Sequence, residues 1–374
     1  MSAKQNTRID VHHHIFIDAQ QKIKRNLEVG WRTPAENLPW SPASSLAAMD
    51  ALQIQTAILS PPPFSSAGPC PENHAAIREY NKYASQLCEL YPARFGFFAG
   101  LPFLSDVKAA LSEIAFAIDE LKADGIAIIS SYGEGEDAKY IADNSYDLIW
   151  EELNRRHVVV FLHGAQTPSS TPFPHPMLGL PITEVVILLN LLLRDQSRFD
   201  HSKVPNETFK AAAHLVVTGK IRRFRNVKVI LAHLGGCTPF LAARVAVLSK
   251  HMGCPLSHDE ILEDFSKFYY ETALSSHDAT LSAMKNFVAP EHMLFGTDFP
   301  AVSVKMAEWY GKNLEEFYAG DPSELGDITC RNALALFPNL QRRLASLETS
   351  TEPTSELITH KNGRSGKIPS HNML

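Results

Sequence analysis

The chain has 374 residues, of which 45% are hydrophobic and 20% are charged, a composition typical of soluble globular proteins. Its formal net charge of −6 gives no reason to expect a nucleic acid or an anionic membrane surface as a partner. The five cysteines lie far apart without a CxxC pair, and the N-terminus lacks the apolar core of a signal peptide. We therefore expect a cytosolic protein with reduced thiols.

Eight short segments rich in β-branched or aromatic residues predict strands. In chain order they are Arg8–Phe16, Thr56–Ser60, Phe95–Leu101, Gly125–Ser130, Val158–Gly164, Lys228–Leu234, Phe268–Ala273 and Met293–Phe299. Longer segments with helical periodicity lie between them. These predict helices at Glu72–Tyr91, Asp106–Ala123, Ser145–His157, Glu207–Phe224 and Pro239–Lys250.

This alternation predicts the fold class. Strands such as VVVFL and KVILA are almost continuously apolar, as expected for a parallel sheet that is buried on both faces. Eight strands alternating with helices over about 330 residues predict an α/β protein with a (β/α)₈ TIM barrel. We expect one domain over residues 1–346, followed by a disordered tail over 347–374, where the sequence becomes polar.

Two long loops interrupt the rhythm of the barrel. Residues 17–43 predict a loop after the first strand, and residues 165–206 predict another after the fifth. Loops of this length often form lids or pocket walls. Within the second loop, residues 185–203 (VVILLNLLLRDQSRFDHSK) form an atypical insertion that would lie beside a pocket.

The first strand carries two histidines that point to the same side of the sheet. His12 and His14 are two residues apart, so both face into the barrel, whereas His13 faces the other way. On its own an HxH pair is a weak signal, because a single histidine at a strand end is more often a hydrogen-bonded structural residue than a ligand.

Three more polar residues lie at the ends of later strands. His163 closes VVVFLH, His233 ends VILAH and Asp298 closes MLFGTD. Since the carboxyl ends of barrel strands meet at one mouth, we expect these residues to join the histidine pair there. Imidazoles and a carboxylate together suit Zn²⁺ or a similar divalent ion. The residues alone leave His233 open as a ligand or an acid/base group.

The predicted site holds one ion. The fourth strand, GIAIIS, contains no lysine, so a carbamylated lysine that would bridge two metals has no candidate there. A set of three histidines and one aspartate suits Zn²⁺ best and would also accept Mn²⁺ or Fe²⁺.

Four motifs, IDVHHH, FLHG, LAHLGG and LFGTDFP, occur in this order over about residues 8–340. They resemble the amidohydrolase superfamily, and within it the branch of aminocarboxymuconate-semialdehyde decarboxylase-like enzymes. The resemblance implies that His12, His14, His163 and Asp298 bind the metal and that His233 acts in catalysis. It also implies a homo-oligomer.

The segments IDVHHHIF, PHPMLGLP and GTDFPAVS are most similar to fungal 6-methylsalicylate decarboxylases of polyketide secondary metabolism. This similarity implies a carboxy-lyase that converts 6-methylsalicylate, a small aromatic acid, to m-cresol and CO₂. The proton for the ring carbon would come from His233 or from Asp298. In such an enzyme, residues 185–203 interrupt the expected run of the chain.

An aromatic substrate needs an apolar pocket. The candidate substrate contacts lie in the mouth loops, next to a ligand or after the HLGG motif; they are Phe16, Trp31, Phe64, Phe299 and, for a carboxylate, Arg244. Ordinary core or lid packing is the alternative for each aromatic residue, and simple surface exposure is the alternative for the arginine. Glu271 in YYETA is expected either to support the site or to contact a helix or solvent.

Two other functions are compatible with these residues. A metal-dependent hydrolase, such as a lactonase, would use the same ligands, because a bound ion also activates water. A catalytically silent barrel is the other alternative, and it would follow if residues 185–203 disrupt the pocket.

Overall fold

The computed structural model describes residues 7–29, 32–63, 68–133, 139–165 and 203–350. Trp31 and Phe64 lie outside the described residues, as does the predicted insertion 185–203 up to position 202. The predicted tail lies outside them from residue 351 onwards.

Eight parallel strands follow one another around a barrel, each hydrogen-bonded to the next strand in the sequence. They are β1 Arg8–His14, β2 Ile54–Ser60, β3 Phe95–Gly100, β4 Gly125–Ile129, β5 Val159–His163, β6 Lys228–Leu231, β7 Tyr269–Glu271 and β8 Met293–Leu294. The predicted TIM barrel is confirmed, and all eight strands lie within the predicted segments or begin at most two residues before them.

The barrel closes through an irregular segment that follows β8. The amide of Val11 donates to the carbonyl of Phe295 at 3.0 Å, and the amide of Asp298 donates to the carbonyl of His12 at 2.8 Å. The amide of His14 donates to the carbonyl of Phe299 at 2.7 Å. These bonds place the predicted aspartate directly against the predicted histidine strand.

Helices surround the barrel. Within the described ranges, the α-helices are α1 Ala19–Val29, α2 Pro42–Ala51, α3 Pro71–Leu90, α4 Val107–Ala115, α5 Asp147–Arg155, α6 Lys203–Val217, α7 Lys220–Arg223, α8 Thr238–His251, α9 His258–Ser266, α10 Asp278–Phe287, α11 Val304–Phe317, α12 Pro322–Gly326, α13 Asn332–Leu336 and α14 Pro338–Ser350. Residues Ser131–Tyr132 and Lys139–Tyr140 form a small antiparallel pair. No helix among the described residues has the length and apolar character that crossing a membrane requires.

The predicted loop over residues 17–43 was wrong in part, because it contains α1 and the start of α2. Helix α1 has no acidic residue in its first turn and no basic residue in its last, so charges in these turns did not indicate a helix. Helix α2 begins with a capping box, in which the side chains of Ser41 and Ser44 each accept from the other's backbone amide.

Two predicted helices also differ from the structure in their course. The segment Asp106–Ala123 forms α4 and then a π-helical turn, Phe116–Glu120. The segment Glu207–Phe224 divides into α6 and α7 at Gly219, whose φ of 70° lies in the left-handed region that glycine tolerates.

The core has two layers. Inside the barrel, apolar side chains from the strands, including Phe98 and Phe161, pack with Phe337 and with residues of α13 and α14. A larger apolar layer packs the helices against the outside of the strands. The interior is therefore filled below the carboxyl ends of the strands, which leaves that end for the polar residues.

Candidate active site

The structure brings four of the predicted side chains to one point. His12 and His14 lie on β1, His163 ends β5 and Asp298 follows β8. All four are buried, and one donor atom from each lies within 4.8 Å of the others. The barrel therefore gathers residues that are almost 290 positions apart in the chain at the carboxyl ends of the strands.

The distances within this cluster match a shared ion. The Nε2 atoms of His12 and His14 are 3.0 Å apart, and each lies 3.3 Å from Oδ1 of Asp298. Ligands bound tetrahedrally at about 2.1 Å would be about 3.4 Å from one another. Three imidazoles and a carboxylate at this spacing fit one divalent cation.

Each histidine of the cluster is held by its other ring nitrogen. Nδ1 of His12 donates to Oε1 of Glu271 at 2.8 Å, and Nδ1 of His14 donates to the carbonyl of Pro61 at 3.0 Å. Nδ1 of His163 donates to the carbonyl of the next residue at 2.8 Å. These bonds fix the tautomers and leave each Nε2 lone pair to point at the centre, as in protein metal sites.

The charges of the cluster favour the binding of a cation. Burial disfavours a charged His12 ring, but the carboxylates of Glu271 and Asp298 outweigh burial and raise the pKa of His12 to about 10. Burial would raise the pKa of Asp298, yet His12 and its neighbours hold that pKa well below its usual range. Burial also lowers the pKa values of His14 and His163, which favours the neutral form that binds metals.

Glu271 at the end of β7 supports two of the predicted site residues at once. Its Oε1 accepts from Nδ1 of His12 at 2.8 Å and from the amide of His233 at 2.5 Å, while Oε2 accepts from the amide of Ala273 at 2.7 Å. A Cβ at position 296 would overlap the Glu271 carboxylate and the Cβ of His12, so Gly296 makes room for this arrangement. The supporting role expected for Glu271 agrees with this geometry.

We expect the Glu271→Gln variant to bind its metal about 10- to 100-fold more weakly, because an amide holds Nδ1 of His12 less strongly than a carboxylate. Competition with a chromophoric chelator measures the affinity. The exposed Glu291, changed to Gln, is the matched control and should leave it unchanged. Equal affinities in the two variants would show that the carboxylate does not tune the site.

His233 lies beside the four-residue cluster. Its ring centre is 5.0 Å from that of His12 and 5.2 Å from that of His163. Its Nδ1 donates to the carbonyl of Ala273 at 3.1 Å, which leaves Nε2 as the nitrogen that a substrate can reach. With Glu271 and His12 it forms a second group of donors, but Glu271 contacts Nδ1 of His12, on the side away from the cluster centre.

Both residues predicted to act in catalysis have a strained backbone. The φ angles are 57° at His233 and 63° at Asp298, in the left-handed region that side chains other than glycine seldom adopt. Such strain costs about 1–3 kcal/mol for each residue and is typical of functional sites. The strain follows from the abrupt turns at the ends of these strands, which direct the two side chains inward.

A second buried network lies behind β1, and sequence reasoning missed it. The Asp10 carboxylate accepts from the amides of His12 and Thr297, each at 3.0 Å, and from Nδ1 of His13 at 3.0 Å. Nε2 of His13 in turn accepts from Ser45 at 2.9 Å. The network ties β1 to the segment after β8 and gives His13 a structural role, in agreement with its exclusion from the predicted ligands.

A cavity of about 710 Å³ opens beside the cluster and reaches His163. Its wall is mostly apolar and includes Phe16, one of the candidate substrate contacts. The wall also includes aromatic and aliphatic residues that sequence reasoning missed, namely Tyr80, Tyr83, Leu101, Ile129, Tyr132 and Phe161. They come from α3, β4, β5, the Ser131–Tyr132 strand and the segment after β3, so no local pattern could have grouped them.

Two predicted substrate contacts lie elsewhere. Phe299 is buried against the ring of His13, with 5.1 Å between ring centres, and is not among the described residues that line the cavity. It follows Asp298 directly, but its ring lies on the side of His13 and not on that of the cluster. Arg244 is exposed on α8 and is likewise not among the described lining residues, because its helix turns that position towards solvent.

An eight-stranded barrel with three histidines and an aspartate at its carboxyl-terminal mouth defines the class of metal-binding (β/α)₈ proteins. The family model described as amidohydrolase matches residues 9–338. The chain therefore belongs to the amidohydrolase family.

Two fungal relatives resemble the chain over nearly its whole length. The 6-methylsalicylic acid decarboxylase of Aspergillus aculeatus is 36% identical, and the match covers 91% of this chain and 98% of the relative. The 6-methylsalicylic acid decarboxylase of Penicillium expansum is 32% identical, with 89% and 97% covered. Both relatives are decarboxylases by name.

A solved structure shows the same fold. The dihydroxybenzoic acid decarboxylase of a Polaromonas species, crystallised with manganese and the inhibitor 2-nitroresorcinol, superposes with a TM-score of 0.70 at 20% identity. The superposition covers 89% of this chain and 97% of the other.

Proposed function

We propose that this chain is a metal-dependent carboxy-lyase that removes CO₂ from an ortho-hydroxy aromatic acid, and that its substrate is 6-methylsalicylate. The observation that carries the proposal is the four-donor cluster at the edge of an apolar cavity, in a chain that is 36% identical to a 6-methylsalicylic acid decarboxylase. The products would be m-cresol and CO₂.

In this proposal His12, His14, His163 and Asp298 hold the ion. A divalent ion bound there supplies Lewis acidity and a template for the phenolic oxygen and the carboxylate. Zn²⁺ is the ion we propose, because three imidazoles and one carboxylate suit it best. The manganese of the Polaromonas enzyme makes Mn²⁺ the first alternative to test.

His233 is the proposed proton donor. Its Nδ1 is engaged by the carbonyl of Ala273, so Nε2 carries the proton towards the ring carbon that bears the carboxylate. Once this carbon is protonated, the bond to the carboxylate breaks. Its electron pair restores the aromatic ring, and CO₂ leaves. Asp298 keeps its place at the cluster, with Oδ1 between His12 and His14.

The cavity binds the ring of the substrate. Phe16 and Phe161 lie in its wall near His163, and Tyr132 extends the aromatic lining. An apolar wall favours an aromatic body, and the polar cluster at one end orients the acid group. Of the other contacts predicted from sequence, Trp31 and Phe64 stay proposals for the mouth of this cavity.

The setting of the reaction belongs to the same proposal. The five cysteines all lie among the described residues and all are free thiols, which supports a location in the cytosol. The fungal origin of the relatives supports a role in polyketide secondary metabolism.

Residues 1–346 stay the proposed catalytic domain, and a homo-oligomer stays the proposed assembly. Helix α14 crosses position 346 and continues to Ser350.

We expect the purified, zinc-loaded protein to convert 6-methylsalicylate to equimolar m-cresol and CO₂, measured by liquid chromatography and gas analysis. A chelator should abolish turnover, and added Zn²⁺ or Mn²⁺ should restore it, because in this proposal the bound ion supplies the Lewis acidity. Lactones offered to the same preparation test the hydrolase alternative. A variant lacking residues 185–203 tests whether that segment blocks the pocket.

The proposal fails if protein with one ion per chain forms no m-cresol with or without residues 185–203. Lactone hydrolysis under the same conditions would then favour the hydrolase. Protein that retains no ion and takes up none would instead favour the catalytically silent barrel.

A further inference from the structure

A buried asparagine in the wall of the cavity presents a hydrogen-bond donor to it. Asn73 on α3 is only 7% exposed and lines the cavity. Its Oδ1 accepts from the amide of Phe103 at 2.9 Å, which fixes the orientation of the side-chain amide. No described residue accepts a hydrogen bond from Nδ2, and this nitrogen is not among the unpartnered atoms that are sealed from solvent. It is therefore open to the cavity.

A second asparagine on the same helix shows how such an amide is paired when it has only a structural role. Asn81 is fully buried, and its Oδ1 accepts from the amide of Gly100 at 2.8 Å. Its Nδ2 donates to the carbonyl of Gly100 at 3.0 Å and to Oε1 of Glu113 at 2.7 Å. Both asparagines attach α3 to the chain at the end of β3, but only Asn81 uses both ends of its amide to do so. Because buried polar groups are almost always paired, the remaining donor of Asn73 points to a ligand.

Asn73 lies across the cavity from the metal cluster. It contacts the segment after β3, whereas His14 lies on β1 and His163 ends β5. One strand lies between β3 and each of these two strands, so about 10 Å separates them at the usual spacing of strands. A ligand whose acid group is at the cluster therefore meets Asn73 only with a substituent on the far side of its ring.

The size of the cavity leaves room for such a substituent. Its volume of about 710 Å³ lies within the range of about 300–1,000 Å³ for sites that hold drug-sized ligands. 6-Methylsalicylate, a single ring with small substituents, is much smaller than a drug-sized ligand. The apolar part of the wall includes Ile77, Leu101 and Ile129. An aromatic acid with a longer side chain that carries an oxygen atom suits both this wall and the donor of Asn73.

We propose that Asn73 forms a second polar subsite, which binds an acceptor oxygen on a side chain of the ring. The cavity then accepts, besides 6-methylsalicylate, larger ortho-hydroxy aromatic acids whose side chain carries a carbonyl group. The inference rests on the proposed function for the position of the acid group at the cluster. It extends that function, because 6-methylsalicylate has no oxygen atom outside its acid and phenol groups.

Two matched pairs of acids test this inference by isothermal titration of the zinc-loaded protein. The first pair is 4-acetyl-2-hydroxybenzoate and 4-isopropyl-2-hydroxybenzoate. The second is 2-hydroxy-6-(2-oxopropyl)benzoate and 2-hydroxy-6-(2-methylpropyl)benzoate. The two members of a pair have nearly the same shape, but only the ketone has a side-chain acceptor.

In the Asn73→Asp variant we expect the affinity for the ketone, relative to that for its alkyl partner, to fall about 3- to 10-fold in at least one pair. The carboxylate still accepts from the amide of Phe103, but it cannot donate to the ketone. Comparison within a pair removes the effect of the new charge, since both members are anions. Binding of 6-methylsalicylate measures that effect alone.

Asn286 provides the matched control. It is exposed on α10, so Asn286→Asp makes the same substitution outside the cavity and should bind all five acids like the wild type. If Asn73→Asp does not fold, Asn73→Ser replaces it, because its shorter side chain withdraws the donor from the cavity. Thermal unfolding and metal content establish that each variant is intact.

The outcomes separate this inference from the proposed function. An unchanged ratio of affinities in both pairs overturns the inference, and so does wild-type protein that binds neither ketone. If the ratio depends on Asn73 while 6-methylsalicylate yields no m-cresol, the inference stands and the proposed decarboxylation fails. If m-cresol is formed but neither ratio depends on Asn73, the proposed function stands without the second subsite.

Discussion

Replacing His233 with asparagine is expected to lower the rate of decarboxylation by about 100- to 10,000-fold, the range for loss of a general acid. The metal content should remain that of the wild type, because His233 lies outside the group formed by His12, His14, His163 and Asp298. Asparagine is close in size to the imidazole and can still donate to the carbonyl of Ala273. The loss would therefore report the missing proton donor rather than a collapsed turn.

Single-turnover rates with 6-methylsalicylate, together with metal analysis of the same sample, measure this effect. His251→Asn is the control, since His251 is an exposed residue at the end of α8. A variant at position 233 that loses its metal would assign His233 to the ligands. A variant that keeps both metal and rate would move the proton transfer to Asp298, the alternative that the sequence left open.

The fold could be predicted because its signal is repeated. Eight segments rich in β-branched or aromatic residues alternate with helical ones, and several of them, such as those of β5 and β6, are apolar enough to indicate a strand buried on both faces. The cluster of His12, His14, His163 and Asp298 could be predicted for a related reason. The carboxyl ends of the strands converge in a barrel. The position of a histidine or aspartate at a strand end can therefore be predicted without knowing its contacts.

The alternation of side chains along β1 predicts their directions correctly only over a short part of the strand. The pairing of β1 with β2 shifts register between Asp10 and His13, so strict alternation does not extend along the whole strand. It does hold from His12 to His14, whose rings lie 4.9 Å apart at the cluster. His12 lies within the irregular stretch, between Asp10 and His13, and its ring nevertheless reaches the cluster with that of His14.

The walls of the cavity were harder to predict, because they depend on side-chain directions in loops and helices. Phe299 was chosen for its place next to Asp298, yet its ring packs against that of His13, whose side chain lies behind β1. Lys22 also lines the cavity, although a lysine in a segment interpreted as a loop is expected at the surface. Only the packing of α1 against the barrel mouth shows that this side chain is buried.

The buried carboxylates divide into two roles that sequence alone could not separate. Asp10 and Glu271 accept hydrogen bonds from backbone amides and from Nδ1 atoms, so they hold the histidines in place. Asp298 lies on the other side, with Oδ1 close to the Nε2 atoms of His12 and His14. Asp10 and Glu271 therefore orient the histidines, whereas Asp298 is itself a member of the cluster.

Replacing Asp298 with asparagine is therefore expected to remove the metal and to bring decarboxylation below detection. If each of four ligands contributes about a quarter of a metal-binding free energy of about 10–16 kcal/mol, its loss weakens binding by about 100-fold or more. The amide also leaves the three histidines without the negative charge that balances a divalent ion. Metal analysis after dialysis and product assays at increasing Zn²⁺ concentrations measure both effects.

The exposed Asp278, changed to asparagine, is the control and should behave like the wild type. Millimolar Zn²⁺ then distinguishes two roles of Asp298. If restored occupancy also restores m-cresol formation, Asp298 serves as a ligand and His233 supplies the proton. If the ion returns while the rate stays low, the carboxylate takes part in the proton transfer as well. Full metal retention by the Asp298→Asn variant would contradict the proposed ligand set, because the cluster would then be complete without this carboxylate.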